Sequence, residues 1–244
     1  VYDSGVGEAG SEVNAGKRTQ VTGKQAGTPS RYRGAQGLPP DLIKDIDVPI
    51  LVGNTVSYEV TKELMQQGIH GVLVGVGPGS VCTSREVLGI GIPQVSATIE
   101  CAAARDDFLK ETGKYIPIIT DGGIRTGGDV CKSFAAGANA VMIGSPFAKC
   151  EEAPAKGYHW GMATWHESLP RGTRIKMGTE YSLHQLLYGP SSRTDGTLNL
   201  VGALQVCMGY VGAENLREMN NARMVYAPAM KTEGKIYQAA GLGF

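Results

Sequence analysis

The sequence carries no net charge, because 23 basic side chains balance 23 acidic ones. That balance argues against a nucleic-acid-binding surface and against an electrostatic membrane anchor. No apolar run approaches the roughly 18–20 residues that a membrane-spanning helix needs, so no membrane partner is expected. The first residues also lack the charged and apolar blocks of a secretory signal, and a cytoplasmic location is therefore expected.

Cysteine and histidine are scarce, and neither is spaced as in a metal site. The five cysteines are odd in number and far apart in the chain, which argues against a disulfide framework and favours reduced thiols. The four histidines show no spacing typical of metal ligands, and the sequence assigns none of them to catalysis.

Glycine, in contrast, is abundant. The 35 glycines are about twice the average share of roughly 7%, and many follow short apolar runs. Residues 1–40 have no traceable hydrophobic periodicity and are predicted to form an irregular or mobile arm. Residues 41–244 are predicted to form the folded domain.

Strand and helix patterns alternate from residue 41 to about residue 150. The apolar runs 48–52, 71–76, 116–120 and 140–143 predict four buried strands, which the intervening helices would make parallel. A stripe of Val56, Val60 and Leu64 predicts the first helix, which should stop at Gly68. An Ala-rich stretch near residues 97–109 predicts the second.

The third helix has the clearest start signal. Thr126 can cap it and Asp129 would lie in its first turn, with Val130 and Phe134 on its apolar side and Gly137 at its end.

The loop after the second strand, residues 75–84, has the sequence GVGPGSVCTS. Its glycines allow backbone N–H groups to converge on an anion, and such oriented dipoles favour a thiolate at Cys82. Cys82 is therefore a candidate nucleophile. The alternative is a tight turn that contains a buried cysteine.

Polar groups follow the other strands, and parallel strands place such groups at one edge of the sheet. Ser80 and the pair Gly144–Ser145 offer hydroxyl and N–H donors suited to a phosphate, whereas Asp121 can accept hydrogen bonds from the vicinal hydroxyls of a ribose. Together with Cys82 they predict a nucleotide site with the base over the thiol. Alternatively, Asp121 is a helix cap and Gly144–Ser145 is a turn.

Several motifs occur together in the order found in one family. Residues 77–85, 121–125 and 142–145, together with the segments EEAP at 151–154 and YHWGM at 158–162, resemble the IMP dehydrogenase/GMP reductase family, especially its IMP-dehydrogenase-related bacterial branch. The resemblance implies an α/β fold of the (β/α)8 TIM-barrel type. Only the last four β/α units are recognisable, with a flap around residues 151–180 and a C-terminal segment.

The resemblance also implies roles for individual residues. Cys82 would attack C2 of the purine, and Ser84 would be a second catalytic residue. The residues implied to bind the nucleotide through its phosphate, ribose or base are Ser80, Asp121, Gly122, Gly123, Gly144, Ser145, Met162 and Ala163.

Cofactor and cation sites are implied in the same way. Asn54, Gly75 and Gly77 would lie near a bound NAD or NADP. Backbone carbonyls of Gly77, Gly79 and Cys82 would bind potassium, with Glu233 and Gly234 supplied by a neighbouring subunit. Members of this family form tetramers, so a homo-oligomer is expected.

The implied activity is hydride transfer between C2 of a purine nucleotide and a nicotinamide cofactor, in either IMP oxidation or GMP reduction. After Met162 no Arg-Tyr pair for water activation is recognisable, and Arg171-Gly172 stands where the family usually has Glu or Gln before Gly. Reaction direction is therefore left open, with a slight preference for reduction. The alternatives are an inactive partial barrel that binds nucleotide or packs with a fuller homologue and, less favoured, a flavin-dependent barrel enzyme.

Overall fold

The computed structural model describes residues 48–161, 168 and 174–225. Four parallel strands form one sheet in the order β1-β2-β3-β4. The strands are β1 (Leu51–Thr55), β2 (Gly71–Val74), β3 (Ile118–Asp121) and β4 (Ala140–Met142). Helices connect them in turn: α1 (Tyr58–Gln66), then α2 (Ser84–Leu88) with α3 (Gln94–Thr112), then α4 (Gly127–Ala135).

Shorter elements follow the sheet. They are α5 (Ser145–Ala148), β5 (Tyr158–Trp160), β6 (Arg174–Lys176), α6 (Leu183–Tyr188), α7 (Leu200–Val211) and α8 (Leu216–Met219). Strands β5 and β6 form a separate antiparallel pair. The arm predicted for residues 1–40 lies outside the described residues.

Strand β1 begins three residues later than predicted. Pro49 has no N–H to donate, Val48 is exposed, and pairing with β2 starts at Leu51 opposite Gly71. The pairing register shifts between Gly53 and Thr55, which leaves Asn54 unpaired within the strand rather than after it. Such an irregularity re-aims a side chain, and Asn54 uses it to reach β3.

Helix α1 buries a different face from the predicted one. Val60, expected in the core, is 37% exposed, whereas Thr61, Leu64 and Met65 are buried. The polar Thr61 is tolerated there because its hydroxyl donates to the Ser57 carbonyl at 2.7 Å and is also hydrogen-bonded to the thiol of Cys101 on α3, with 3.1 Å between oxygen and sulfur. The apolar stripe is thus rotated by about one residue.

Two apolar clusters hold the elements in place. One joins α1 and α3 to the central strands and includes Leu64, Phe108, Val72 and Ile118. The other packs α4 against α6, α7 and α8 and includes Phe134, Leu186, Leu200 and Met219. The central strands are consequently the best buried, whereas Leu51 on β1 and Met142 on β4 are exposed at the sheet's two edges. No helix among the described ranges is long and apolar enough to cross a membrane.

The cap predicted for α4 is present. The Thr126 hydroxyl accepts from the Asp129 N–H at 3.2 Å, while the Asp129 carboxylate accepts from the Thr126 N–H at 3.0 Å. This reciprocal pair satisfies two N–H groups at the helix start. The helix ends at Ala135, and Gly137 follows with φ +105.

We expect Thr126→Ala to lower the free energy of unfolding by about 1 kcal/mol, because the side-chain acceptor of the cap is lost. Thr126→Ser keeps the hydroxyl and is the matched control, with less than half that loss. Urea unfolding followed by circular dichroism measures both. Equal losses in the two variants would show that the methyl group matters rather than the cap.

Candidate active site

The loop that carries Cys82 leaves β2 and ends at α2. Within it, the Cys82 N–H donates to the Gly79 carbonyl at 3.0 Å, which closes a tight turn. The Cys82 side chain is half-buried, and its thiol donates to the Ser84 hydroxyl at 3.4 Å. Ser84 therefore contacts the candidate nucleophile directly and can orient its sulfur.

Three of the other cysteines are poorly suited to act as nucleophiles. Burial raises the pKa of Cys101 to about 12 and also raises the pKa of Cys150. Burial, followed by a hydrogen bond with Cys207, raises the pKa of Cys131 to about 12. The two remaining thiols are both half-buried. Cys82 lies in the glycine-rich loop, whereas Cys207 lies on α7.

The glycines after Asp121 pack directly against the Cys82 loop. Gly122 and Gly123 have φ of +89 and +78, a region where L side chains are strained. A Cβ on Gly122 would lie 3.1 Å from Pro78 Cγ, and a Cβ on Gly123 would lie 3.2 Å from Pro78 Cβ. Because neither position has a side chain, the end of β3 can pack directly against the loop.

Asn54 and Asp121, predicted separately from their positions near strand ends, are joined in the structure. The Asn54 amide donates to Asp121 Oδ2 at 2.8 Å. This bond occupies one lone pair of the carboxylate and fixes its direction, while the other oxygen, Oδ1, stays able to accept from a diol.

Ser80 and Ser145 meet on the other side of the loop. Their hydroxyls are hydrogen-bonded to each other. Ser145 Oγ also lies 3.0 Å from Nδ1 of His159 on β5, and a Cβ on Gly144 would lie 3.0 Å from the same imidazole ring. Burial lowers the pKa of His159 below its usual value.

The start of the predicted flap also reaches the loop. A Cβ on Gly161 would lie 3.1 Å from the Val81 carbonyl, so the chain after β5 passes close to Cys82. Met162 and Ala163, implied to contact the base, fall outside the described residues, as do Glu233 and Gly234 and the Arg171-Gly172 pair.

At Gly75 and Gly77 the space beside Cα is filled by other side chains. A Cβ on Gly75 would lie 2.6 Å from Gln94 Oε1, and one on Gly77 would lie 2.8 Å from Arg85 Cγ. These glycines therefore allow close packing around the loop, and their implied roles with a cofactor or potassium stay predictions. In the described part of the chain, no cluster of three or more His, Cys, Asp or Glu could hold a metal ion.

Among the described residues, two buried polar atoms near the loop have no hydrogen-bond partner. They are Thr83 Oγ1, next to Cys82, and Gln94 Oε1, against Gly75. An unpaired buried polar group costs about 1–3 kcal/mol, and an ordered water molecule or a bound ligand would supply the missing partner. The Gln94 amide also donates to the Val74 carbonyl at 2.6 Å, which fixes its orientation.

Sequence reasoning missed His159 and Gln94. The spacing of the histidines indicates only that they do not form a metal site, whereas the neighbour of His159 in space is a serine 14 residues away. The usable signal was its place two residues before Gly161, inside a motif already assigned to the site. Gln94 had no such signal, because it begins a helix beyond the loop.

A sequence model of the IMP dehydrogenase / GMP reductase domain matches residues 41–177, which is more than half of the chain. The chain belongs to the IMP dehydrogenase/GMP reductase family. An IMP dehydrogenase/GMP reductase-like protein of Corynebacterium glutamicum has a similar crystal structure, with a TM-score of 0.69 and 37% identity. That alignment covers 75% of this chain and 49% of the other. The TIM-barrel fold class is thereby confirmed, with a four-stranded parallel sheet consistent with part of a barrel.

Named relatives agree on oxidoreductase chemistry. An "uncharacterized oxidoreductase" of Mycolicibacterium smegmatis is 43% identical over 180 residues, covering 72% of this chain and 48% of the relative. The inosine-5'-monophosphate dehydrogenase of Cryptosporidium parvum is 36% identical over 196 residues, covering 71% and 46%. The chain thus spans about half the length of the curated relatives it matches.

Proposed function

We propose that this chain is a purine nucleotide oxidoreductase that transfers hydride between C2 of the base and a nicotinamide cofactor through a covalent intermediate on Cys82. The observation that carries the proposal is the meeting of three elements at one loop. Gly122 and Gly123 pack on Pro78, Ser80 is bonded to Ser145, and the Cys82 thiol contacts Ser84.

Cys82 has the chemistry that the reaction needs. In IMP oxidation its thiolate adds to C2, the hydrogen on that tetrahedral carbon leaves with its electron pair, and water then adds to C2 and releases the thiolate. In GMP reduction the thiolate adds to C2 and ammonia leaves, a hydride then adds to C2, and the thiolate departs. A soft sulfur is suited to both adding and departing. NAD or NADP, when bound, supplies the hydride acceptor or donor. Ser84 would orient the sulfur through their 3.4 Å contact.

The remaining residues hold the nucleotide over that sulfur. Asp121, fixed by Asn54, would accept hydrogen bonds from the ribose hydroxyls, beside Gly122 and Gly123. Ser80 and Ser145, with Gly144, would hold the 5′-phosphate. By family resemblance, Met162 and Ala163 would contact the base through their backbone.

The residues in and beside the Cys82 loop fit part of what a nicotinamide cofactor and a potassium ion need. The unpaired Gln94 Oε1 near Gly75 is an acceptor that a carboxamide N–H could satisfy. The Gly79 carbonyl already accepts from Cys82 N–H, but a carbonyl oxygen has a second lone pair for a cation. Gly77 and Cys82 would supply the other carbonyls of the loop. A cytoplasmic location and a homo-oligomer belong to the same proposal, and the exposed edge residues Leu51 and Met142 favour association.

Alkylation of Cys82 tests the proposal directly. IMP or GMP should slow its reaction with iodoacetamide at least about tenfold, because the base would cover the sulfur, whereas inosine should protect less. Cys207, the other half-buried thiol, is an internal reference that the nucleotides should not protect. Mass spectrometry of the labelled peptides measures both thiols in one sample. Equal labelling of Cys82 with and without either nucleotide would refute the proposal.

A second candidate function is nucleotide binding without turnover. It is favoured by the sequence after Met162, which has neither a recognisable Arg-Tyr pair for water activation nor Glu or Gln before Gly172. Absorbance of the reduced cofactor separates the two functions when IMP with NAD(P) and GMP with NAD(P)H are compared. Protection of Cys82 without absorbance change in either direction would indicate the binding function.

A further inference from the structure

We propose that His159 makes phosphate binding pH-dependent, by setting the direction of a hydrogen-bonded chain that runs through Ser145 to Ser80. This inference rests on the proposed function, because it assumes that the two serines receive the phosphate of the nucleotide. It adds a charge that the serines themselves lack.

The geometry places the imidazole at one end of a three-member chain. His159 Nδ1 is 3.0 Å from Ser145 Oγ, and Ser145 Oγ is bonded in turn to Ser80 Oγ. The ring also packs on the backbone of Gly144. His159 therefore contacts the two elements that would bind the phosphate.

Protonation of the imidazole fixes which way this chain donates, because both ring nitrogens of the cation carry a proton, whereas the neutral ring can accept at Nδ1. When Nδ1 carries a proton it donates to Ser145, so Ser145 can donate to Ser80 and the Ser80 hydroxyl hydrogen is free to point at an anion. When Nδ1 instead accepts from Ser145, the direction reverses and the lone pairs of Ser80 face outward. A cationic His159 therefore supplies both the charge and the donor that a phosphate dianion prefers.

In the ranges that the structure describes, no other cation is directed at the His159 end of this hydrogen-bonded chain. Tyr158 and Trp160 lie on the opposite face of β5, and Arg174 and Lys176 on β6 pack over their rings. His159 is opposite Ile175, so it faces away from those two cations.

The other groups near His159 do not replace it as the cation beside the two serines. Lys149, after α5, is paired with Glu180 at 2.6 Å. The approaching loop contributes uncharged Ser80 and the titratable thiol of Cys82. The cause of the lowered pKa of His159 is burial, and a bound phosphate would oppose it with a negative charge.

Binding should therefore take up a proton near neutral pH. A phosphate dianion raises the pKa of His159, so affinity rises as pH falls until the phosphate itself is protonated near its second pKa of about 6. Between pH 8 and pH 6.5 we expect the dissociation constant of IMP to fall about fivefold. Inosine, which lacks the phosphate, should show no such change.

Calorimetry tests the inference on the unmodified protein and on two matched variants. IMP, GMP and inosine are titrated at pH 6.5, 7.2 and 8, at each pH in two buffers of different ionisation enthalpy, which gives the number of protons taken up. His159→Asn should bind IMP or GMP with little pH dependence and no proton uptake. His184→Asn is the control, because His184 bonds to the Gly189 carbonyl outside the site, and it should behave as the unmodified protein does.

The outcomes separate this inference from the proposed function. IMP or GMP binding that is equally pH-independent in the unmodified protein and in His159→Asn would overturn the role of His159 and leave the proposed function standing. Absence of binding of both nucleotides at every pH would overturn both. Proton uptake that persists in a folded His159→Asn variant would also overturn the inference, because another group would then be titrating.

Discussion

Replacing Cys82 with serine is expected to lower turnover by a factor on the order of 10³ or more, whichever reaction direction the protein supports. A serine hydroxyl at this position is a poorer nucleophile at neutral pH and a poorer leaving group than a thiolate. The side chains are nearly equal in size, and the Ser84 contact at 3.4 Å can be kept. Nucleotide affinity should consequently change by less than about threefold.

Steady-state rates and calorimetric affinities measure the two effects separately. Cys207→Ser is the matched control, since Cys207 lies on α7 and contacts Cys131 rather than the loop. It should retain the rate of the unmodified protein. Turnover by Cys82→Ser within tenfold of that rate would show that no covalent bond to this residue is needed.

The parts of the fold that the sequence predicts correctly are those with a local cause. The four strands lie where short apolar runs precede glycine or polar residues. The start of α4 follows from Thr126 and Asp129, three residues apart, which satisfy each other's backbone groups. Each signal is complete within a few residues, so no knowledge of distant packing is needed.

Errors occur where a distant contact decides the structure. Val60 was placed in the core because it continues an apolar stripe, but Thr61 takes that position through its bond to Cys101, 40 residues away. Asn54 lies within β1 because of a register shift against β2. Neither contact leaves a signal in the local sequence.

The same reasoning explains how much of the candidate site could be anticipated. Asp121 ends a strand, whereas Cys82 and Ser145 lie in the segments that follow strands, and parallel strands bring such ends together. His159 depends instead on how β5 lies against the start of α5, which no periodicity reports. The contact between His159 and Ser145 is therefore set by tertiary packing and has no local sequence signal.

Gly123→Ala is expected to weaken nucleotide binding at least about tenfold, because the added methyl group pushes the Cys82 loop away from the end of β3. The new Cβ would lie 3.2 Å from Pro78 Cβ and 3.3 Å from the Pro78 carbonyl. A side chain at φ +78 adds about 1–2 kcal/mol of backbone strain. Relief of the contact must move Pro78 away from Asp121, and the turn that carries Cys82 moves with it.

Gly113→Ala is the control variant that separates backbone strain at a positive φ from the contact with Pro78. Gly113 has a φ of +71 at the end of α3, yet no atom of the residues that the structure describes lies within 4 Å of its hypothetical Cβ. Both variants should therefore lose similar stability in urea unfolding, about 1–2 kcal/mol, while Gly113→Ala keeps the affinity for IMP and GMP and the nucleotide protection of Cys82. If Gly123→Ala also kept them, the contact between the end of β3 and the Cys82 loop would not be what holds the site together, because the variant disturbs that contact directly.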